Sequence, residues 1–299
     1  MNVSMQGVLL SLVASLLFAL MPSYFRALAP LDGAQVFAQR VFWSVPAVLL
    51  LVLLMRQWHT LASAFARLRR EPLLLAALPL ASLLIGVQWG LFVWAPLSGH
   101  LLDVTLGYFL LPLTMVLVGR LFYGERLRPL QWLAVACALL GVLHELWLTG
   151  AFSWVTLLVA VGYPPYYMLR RWMRLEALNG FLLEVLLMVP LAVWLVRDSG
   201  VLTLFAEAPR FYWMLPGLGL FSALAFGTLM AASRRLPLGL FGILSYVEPA
   251  LLFAVSVGLL GEPFASTQLW TYVPIWLALG LIVWDGLYLL RKQQRRMSG

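Results

Sequence analysis

The chain has 299 residues, of which 63% are hydrophobic and 11% charged, and its formal net charge is +8. Soluble domains run at about 45–50% apolar and about 25% charged residues, so too little polar surface exists here to wrap a water-soluble core. A soluble enzyme, a nucleic-acid-binding domain and a disordered chain are thereby excluded, and the bilayer is the expected solvent.

Ten apolar segments follow one another, at 5–24, 34–55, 72–95, 101–122, 130–149, 153–170, 178–197, 211–232, 238–260 and 267–290. Each is close to the ~20 residues that span a bilayer. The first has no basic stretch before it and no small-residue cleavage site after it, so a retained span is expected rather than a signal peptide. The predicted fold is an all-α polytopic membrane protein of ten transmembrane helices, with no room for a sizeable extramembrane domain.

With the N-terminus inside, sixteen of the twenty basic residues fall on one side: Arg56, Arg67, Arg69 and Arg70, then Arg120, Arg126 and Arg128, then Arg170, Arg171 and Arg174, then Arg234 and Arg235, then Arg291, Lys292, Arg295 and Arg296. Only Arg26, Arg197 and Arg210 fall on the other side, and Arg40 lies within the second segment. The positive-inside rule then places both termini in the cytoplasm. Anionic lipid, rather than nucleic acid, is the partner this charge faces. Trp58, Trp132, Trp154, Trp213 and Trp270 sit near segment ends, where amphipathic rings favour the interface. The single cysteine, Cys137, lies inside an apolar run and makes no intrachain disulfide.

An internal repeat is visible. Tyr108-Phe109-Leu110-Leu111-Pro112 precedes Gly124-Glu125 by the spacing at which Ser245-Tyr246-Val247-Glu248-Pro249 precedes Gly261-Glu262. The prolines, glycines and glutamates all recur at an offset of 137, as do Gln131 and Gln268. Five segments separate the copies, so the two halves, 1–150 and 151–299, run through the membrane in opposite directions. A five-plus-five inverted repeat is a recurring plan of secondary carriers, which bind solute near the midplane between the halves.

Several stretches together carry a family resemblance. They are Gln6-Gly7-Val8-Leu9-Leu10, Arg40-Val41-Phe42-Trp43-Ser44, Gln88-Trp89-Gly90-Leu91-Phe92-Val93-Trp94-Ala95, Leu106-Gly107-Tyr108-Phe109 with Pro112-Leu113, and Gly124-Glu125-Arg126-Leu127 leading into Gln131-Trp132-Leu133-Ala134-Val135. Glu184 with Pro190 and Tyr246 with Pro249 fit the same pattern. On these residues the chain resembles the EamA-type permeases of the drug/metabolite transporter superfamily, and within them the RarD group. The resemblance implies ten helices in two EamA repeats, a bacterial inner-membrane location and transport of a small organic solute. Departures from the pattern, as it is known, include Gln88, Asp103, Leu111, the Tyr163-Pro164-Pro165-Tyr166-Tyr167 run and the acidic Glu248.

The candidate site residues are polar or aromatic groups inside apolar segments. Arg40 near a helix centre costs ~2.5–3.5 kcal/mol on insertion scales, so it is expected to face the interior, where its planar fork suits a carboxylate. Snorkelling to the outer interface is the alternative. Glu184 and Glu248 are candidates for proton coupling or for a structural ion pair. Pro112 and Pro249 mark helix kinks and free the carbonyls of Tyr108 and Ser245, with Tyr108 and Tyr246 offering hydroxyls nearby. Gln88, Trp89 and Trp94, with Trp43 on the second segment, complete the candidate substrate-binding set. Gly86 and Gly90 form a small-xxx-small pair that favours close helix packing, so Gln88 has a packing alternative.

His100, His144 and Glu145 lack metal-ligand spacing, and no Walker A sequence occurs. No catalytic residue, metal or cofactor is expected. Gly124-Glu125 and Gly261-Glu262 are expected to be helix-ending turns. The leading expectation is a secondary carrier, working outward by alternating access. A non-transporting receptor or assembly protein is the alternative, and an intramembrane lipid-modifying enzyme a weaker one. One pathway fits within ten helices, so a monomer suffices and a dimer stays open.

Overall fold

The computed structural model describes residues 4–97, 101–150, 153–197, 208–258 and 266–297. Among them every regular element is helical: α1 (Met5–Ala27), α2 (Gly33–Leu54), α3 (Trp58–Arg70), α4 (Pro72–Leu97), α5 (Leu101–Tyr123), α6 (Pro129–Thr149), α7 (Trp154–Met173), α8 (Ala177–Val196), α9 (Phe211–Arg235), α10 (Leu238–Leu244), α11 (Val247–Gly258) and α12 (Leu269–Met297), with a 3-10 turn at Ser266–Gln268. In hydrocarbon a helix satisfies its own backbone polar groups, which is why unbroken apolar runs take this form. Six stretches, Met5–Ala27, Gly33–Leu54, Pro72–Trp94, Pro129–Leu148, Ala177–Val196 and Phe211–Arg235, are long and apolar enough to cross a membrane. Gly107–Tyr123, Leu238–Leu251 and Leu269–Leu281 are shorter apolar helical stretches.

Two elements differ from expectation. Helix α3 lies where the sequence suggested only a basic connection. It buries Ala64 and Leu68 and carries Arg67, Arg69 and Arg70 in its last turn, where cations complement the helix dipole. The ninth segment is also broken, into α10 and α11, at Ser245-Tyr246. Pro249 has no N–H to give to Ser245 and sits in the first turn of α11, the position that tolerates it. The Ser245 carbonyl is not left free, since it accepts the Glu248 N–H at 3.2 Å.

Helix α1 packs on α9 and α11, α2 on α8 and α9, α5 on α7 and α10, and α4 on α7 and α8, while α6 and α12 run along each other. Close approach needs small residues. At Gly219 on α9 an added Cβ would run into the backbone carbonyl of Trp43 on α2. Gly86 has room beside Met188, and a Cβ at Gly90 would meet nothing within 4 Å, so the Gly86/Gly90 pair does not make the tight helix contact its spacing suggests. Gly219→Ala is therefore expected to cost about 1–3 kcal/mol through overpacking, seen as a lower Tm in detergent. Gly90→Ala is expected to leave Tm unchanged or slightly raised.

Candidate solute-binding site

A cavity of about 90 Å³ lies among α1, α2, α4, α5, α7, α9 and the α10–α11 break. That is several times the ~10–15 Å³ needed to admit one water. Its polar wall is Arg40, Tyr108, Tyr163, Ser245 and Glu248. Its apolar wall includes Phe18, Phe92, Phe226 and Leu229.

Arg40 is 2% exposed. Its Nε donates to Ser222 Oγ at 3.1 Å, and its guanidinium lies 3.8 Å from the centre of the Trp89 ring. That ring is itself fixed edge-to-face by Phe181 at 5.8 Å and Phe226 at 5.7 Å. One guanidinium nitrogen, Nη2, is buried without a hydrogen-bond partner. Tyr108 and Tyr163 hydroxyls meet at 3.2 Å, and the Tyr163 ring stacks on Tyr167 at 6.2 Å. Arg40, Trp89, Tyr108, Ser245, Glu248 and Pro249 of the sequence-predicted set thus share one cavity. Tyr163, Tyr167 and Phe226 belong to it as well; the sequence marked the two tyrosines only as part of a departure from the family pattern, because an aromatic in an apolar span does not reveal which way it faces.

The other predicted residues lie elsewhere. Gln88 is buried and donates to the Leu158 carbonyl on α7 at 3.0 Å. Trp43 donates to Gln39 at 3.1 Å and packs with Phe211 and Leu218 near the start of α9. Trp94 is 41% exposed and sits beside Trp154 at 5.9 Å. Tyr246 donates to the Phe109 carbonyl at 3.0 Å, three residues before the α5 proline Pro112. A proline disturbs the backbone bonding of the preceding turn, and in a membrane such a carbonyl needs a protein partner. Thr114 serves the same end, donating at 2.6 Å to Ala160, whose usual donor position is taken by Pro164.

Glu184 does not face Arg40. Its carboxylate accepts from Tyr166 at 2.9 Å and pairs with Arg170 at 3.4 Å. Arg170 is 4% exposed and reaches Glu184 by crossing α8 over Gly180, where a Cβ would coincide with the guanidinium. Tyr167 separates the central cavity from a smaller pocket lined by Arg170, Arg171, Ser233, Arg234 and Leu238.

At the same end of the bundle Glu125 does more than finish a helix. Gly124 takes φ +61°, a left-handed turn that glycine adopts freely. This turns the Glu125 carboxylate onto the start of α10, where it accepts from Leu238 N at 2.6 Å and Gly239 N at 2.8 Å. Arg171 of α7 approaches it at 3.6 Å and donates to the Leu236 carbonyl at 3.2 Å. No sequence signal pointed to this contact.

An apolar helix bundle enclosing a charged and aromatic cavity defines a multi-pass membrane protein of the transporter kind. A Pseudomonas aeruginosa protein named chloramphenicol-sensitive protein RarD is 61% identical over 300 residues, covering 99% of each chain. Protein RarD of Escherichia coli is 32% identical over 97% of this chain and 98% of its own, and an uncharacterized transporter of Haemophilus influenzae is 36% identical over 96% of each. The chain belongs to the RarD family. Among the solved structures that match, a crystal structure aligns with a TM-score of 0.70 at 20% identity, over 95% of this chain and 98% of its own, a likeness of fold. No protein-family model matches the chain.

Proposed function

We propose that this protein is an EamA-type secondary carrier of the bacterial inner membrane, which exports a small organic solute by alternating access. The observation that carries this reading is the central cavity with a buried, incompletely paired Arg40 in its wall. An intramembrane arginine is expensive and marks a solute or ion pathway by default. Ten spans, two inverted halves at 1–150 and 151–299, and cytoplasmic termini complete the proposal. The RarD and transporter names of the relatives support a carrier rather than an enzyme, and resemblance to drug/metabolite permeases supports the outward direction.

Helix contacts favour the inverted repeat. In a two-fold arrangement each contact has a mate, and elements near the axis touch their own counterparts. The α2–α8, α5–α10 and α6–α12 contacts join counterparts, while α1–α9 is matched by α7–α4 and α2–α9 by α8–α4. Tyr246 and Phe109, which share a hydrogen bond, stand 137 residues apart, the repeat offset itself.

Purified protein in liposomes loaded with labelled amino acids, organic acids, amines and chloramphenicol tests the reading. Saturable efflux is expected for at least one class. Leu111→Trp, which fills part of the cavity, is expected to reduce that efflux at least about tenfold while the protein elutes as the wild type does. Unchanged efflux in Leu111→Trp would move the pathway elsewhere. No flux of any compound by folded protein would replace the carrier with a receptor or assembly role.

A further inference from the structure

The cavity holds a basic and an acidic side chain, Arg40 and Glu248, that do not meet. No ion pair joins Arg40 to Glu248, and no described group makes a hydrogen bond or ion pair with the Glu248 carboxylate. Arg40 is held back by Ser222 on one side and by the Trp89 ring on the other, with Nη2 left over. The Tyr108 and Tyr163 hydroxyls lie within electrostatic reach of both side chains, so the pair shares one small chamber. A buried guanidinium keeps its charge and is relieved only by an acceptor, best an anionic one, whereas a carboxyl is relieved either by a cationic partner or by taking up a proton. A neutral occupant leaves the guanidinium without an anion, an anionic one leaves Glu248 without a cation, and one that carries both groups meets both side chains at once.

We infer that this cavity takes a small zwitterion, with its carboxylate on Arg40, its ammonium group on Glu248 and a compact apolar body against Phe18, Phe92, Phe226 and Leu229. This rests on the carrier reading and names its substrate class. A guanidinium fixed by stacking presents its free edge to a carboxylate in a set direction. Glu248 sits on the α10–α11 break, on the far element of the same cavity. A cavity several times the ~10–15 Å³ that admits one water suits a compact solute, such as a branched aliphatic amino acid, rather than a large one. The polar ends then give orientation, and the apolar wall gives affinity without demanding one side chain.

Four probes on one carbon skeleton test this in liposomes: leucine, 4-methylpentanoate, isopentylamine and 4-methylpentanamide. Leucine is expected to compete for efflux about 30-fold or more better than each of the other three, as expected when a buried charge pair is truncated. Glu248→Gln is expected to erase the preference for leucine over 4-methylpentanoate while keeping that over isopentylamine, and Arg40→Met to do the reverse. Unchanged quenching of tryptophan fluorescence by external acrylamide would show that both variants remain folded. Equal competition by all four probes overturns the inference, as does preference for 4-methylpentanoate, which would make Glu248 a protonated bystander. If other solutes move while all four probes fail, the zwitterion is wrong and the carrier stands; if nothing moves, both fall.

Discussion

Glu184→Ala is expected to lower the stability of the protein by about 3–5 kcal/mol, the range for breaking one half of a buried ion pair. Glu184 is fully buried and Arg170 nearly so. Removing the carboxylate strands the guanidinium, whose other described hydrogen bond is a single Nη2 contact to the Ala177 carbonyl at 3.0 Å. Tyr166 would lose its 2.9 Å acceptor and keep only the Met230 sulfur at 3.5 Å. Most of the cost lies in the charge left behind rather than in the attraction lost. The double substitution Glu184→Leu with Arg170→Met removes both charges and is therefore expected to recover most of the stability. Thermal unfolding of the detergent-solubilised wild type, Glu184→Leu, Arg170→Met and the double variant measures the coupling. Equal and additive losses in the two single variants would mean that the pair does not hold α7 to α8.

The extent of this legibility differed between levels for physical reasons. Helix positions were open to the sequence because an apolar run near the length of a bilayer crossing has few alternatives. Helix α3 was not, since its burial depends on two residues, Ala64 and Leu68, among basic neighbours. The break at Ser245-Tyr246 was only half visible. Pro249 announced a disturbance, but which donor would take the Ser245 carbonyl depends on a turn that no spacing specifies.

At the site, Arg40, Tyr108 and Glu248 stood out as polar groups where lipid tolerates none. Gln88 and Tyr246 stood out on the same grounds, yet both spend their hydrogen bonds on backbone carbonyls of neighbouring helices. Polarity inside a span therefore signals an obligation to find a partner, and the sequence does not say whether that partner is the protein or a solute. Only the packing of α7 against α4, and of α10 against α5, separates the cases.

Glu125→Ala is expected to change the balance of conformations more than it changes the fold. The carboxylate ties the turn after α5 to the first two N–H groups of α10 at 2.6 and 2.8 Å, and so joins the two proposed halves at the basic, proposed cytoplasmic face. Hydrogen bonds to a charged group contribute about 1.5–3 kcal/mol each. Within an alternating-access cycle this contact is available only while that face is closed, so its loss acts on the closed state alone. A bias of about 2–3 kcal/mol corresponds to a shift of roughly 30–150-fold between the two states. Ser245 lines the cavity behind this contact, which makes it a reporter. In a Cys137→Ser background, Ser245→Cys is expected to react with a membrane-impermeant maleimide added at the cytoplasmic face at least about tenfold faster when Glu125→Ala is present. Glu125→Gln, with one oxygen left to accept from α10 and no charge for Arg171, is expected to fall between. Identical labelling rates in all three would show that the contact holds the turn and not the gate, and the closed face would then depend on the Tyr167 partition and the arginines around it.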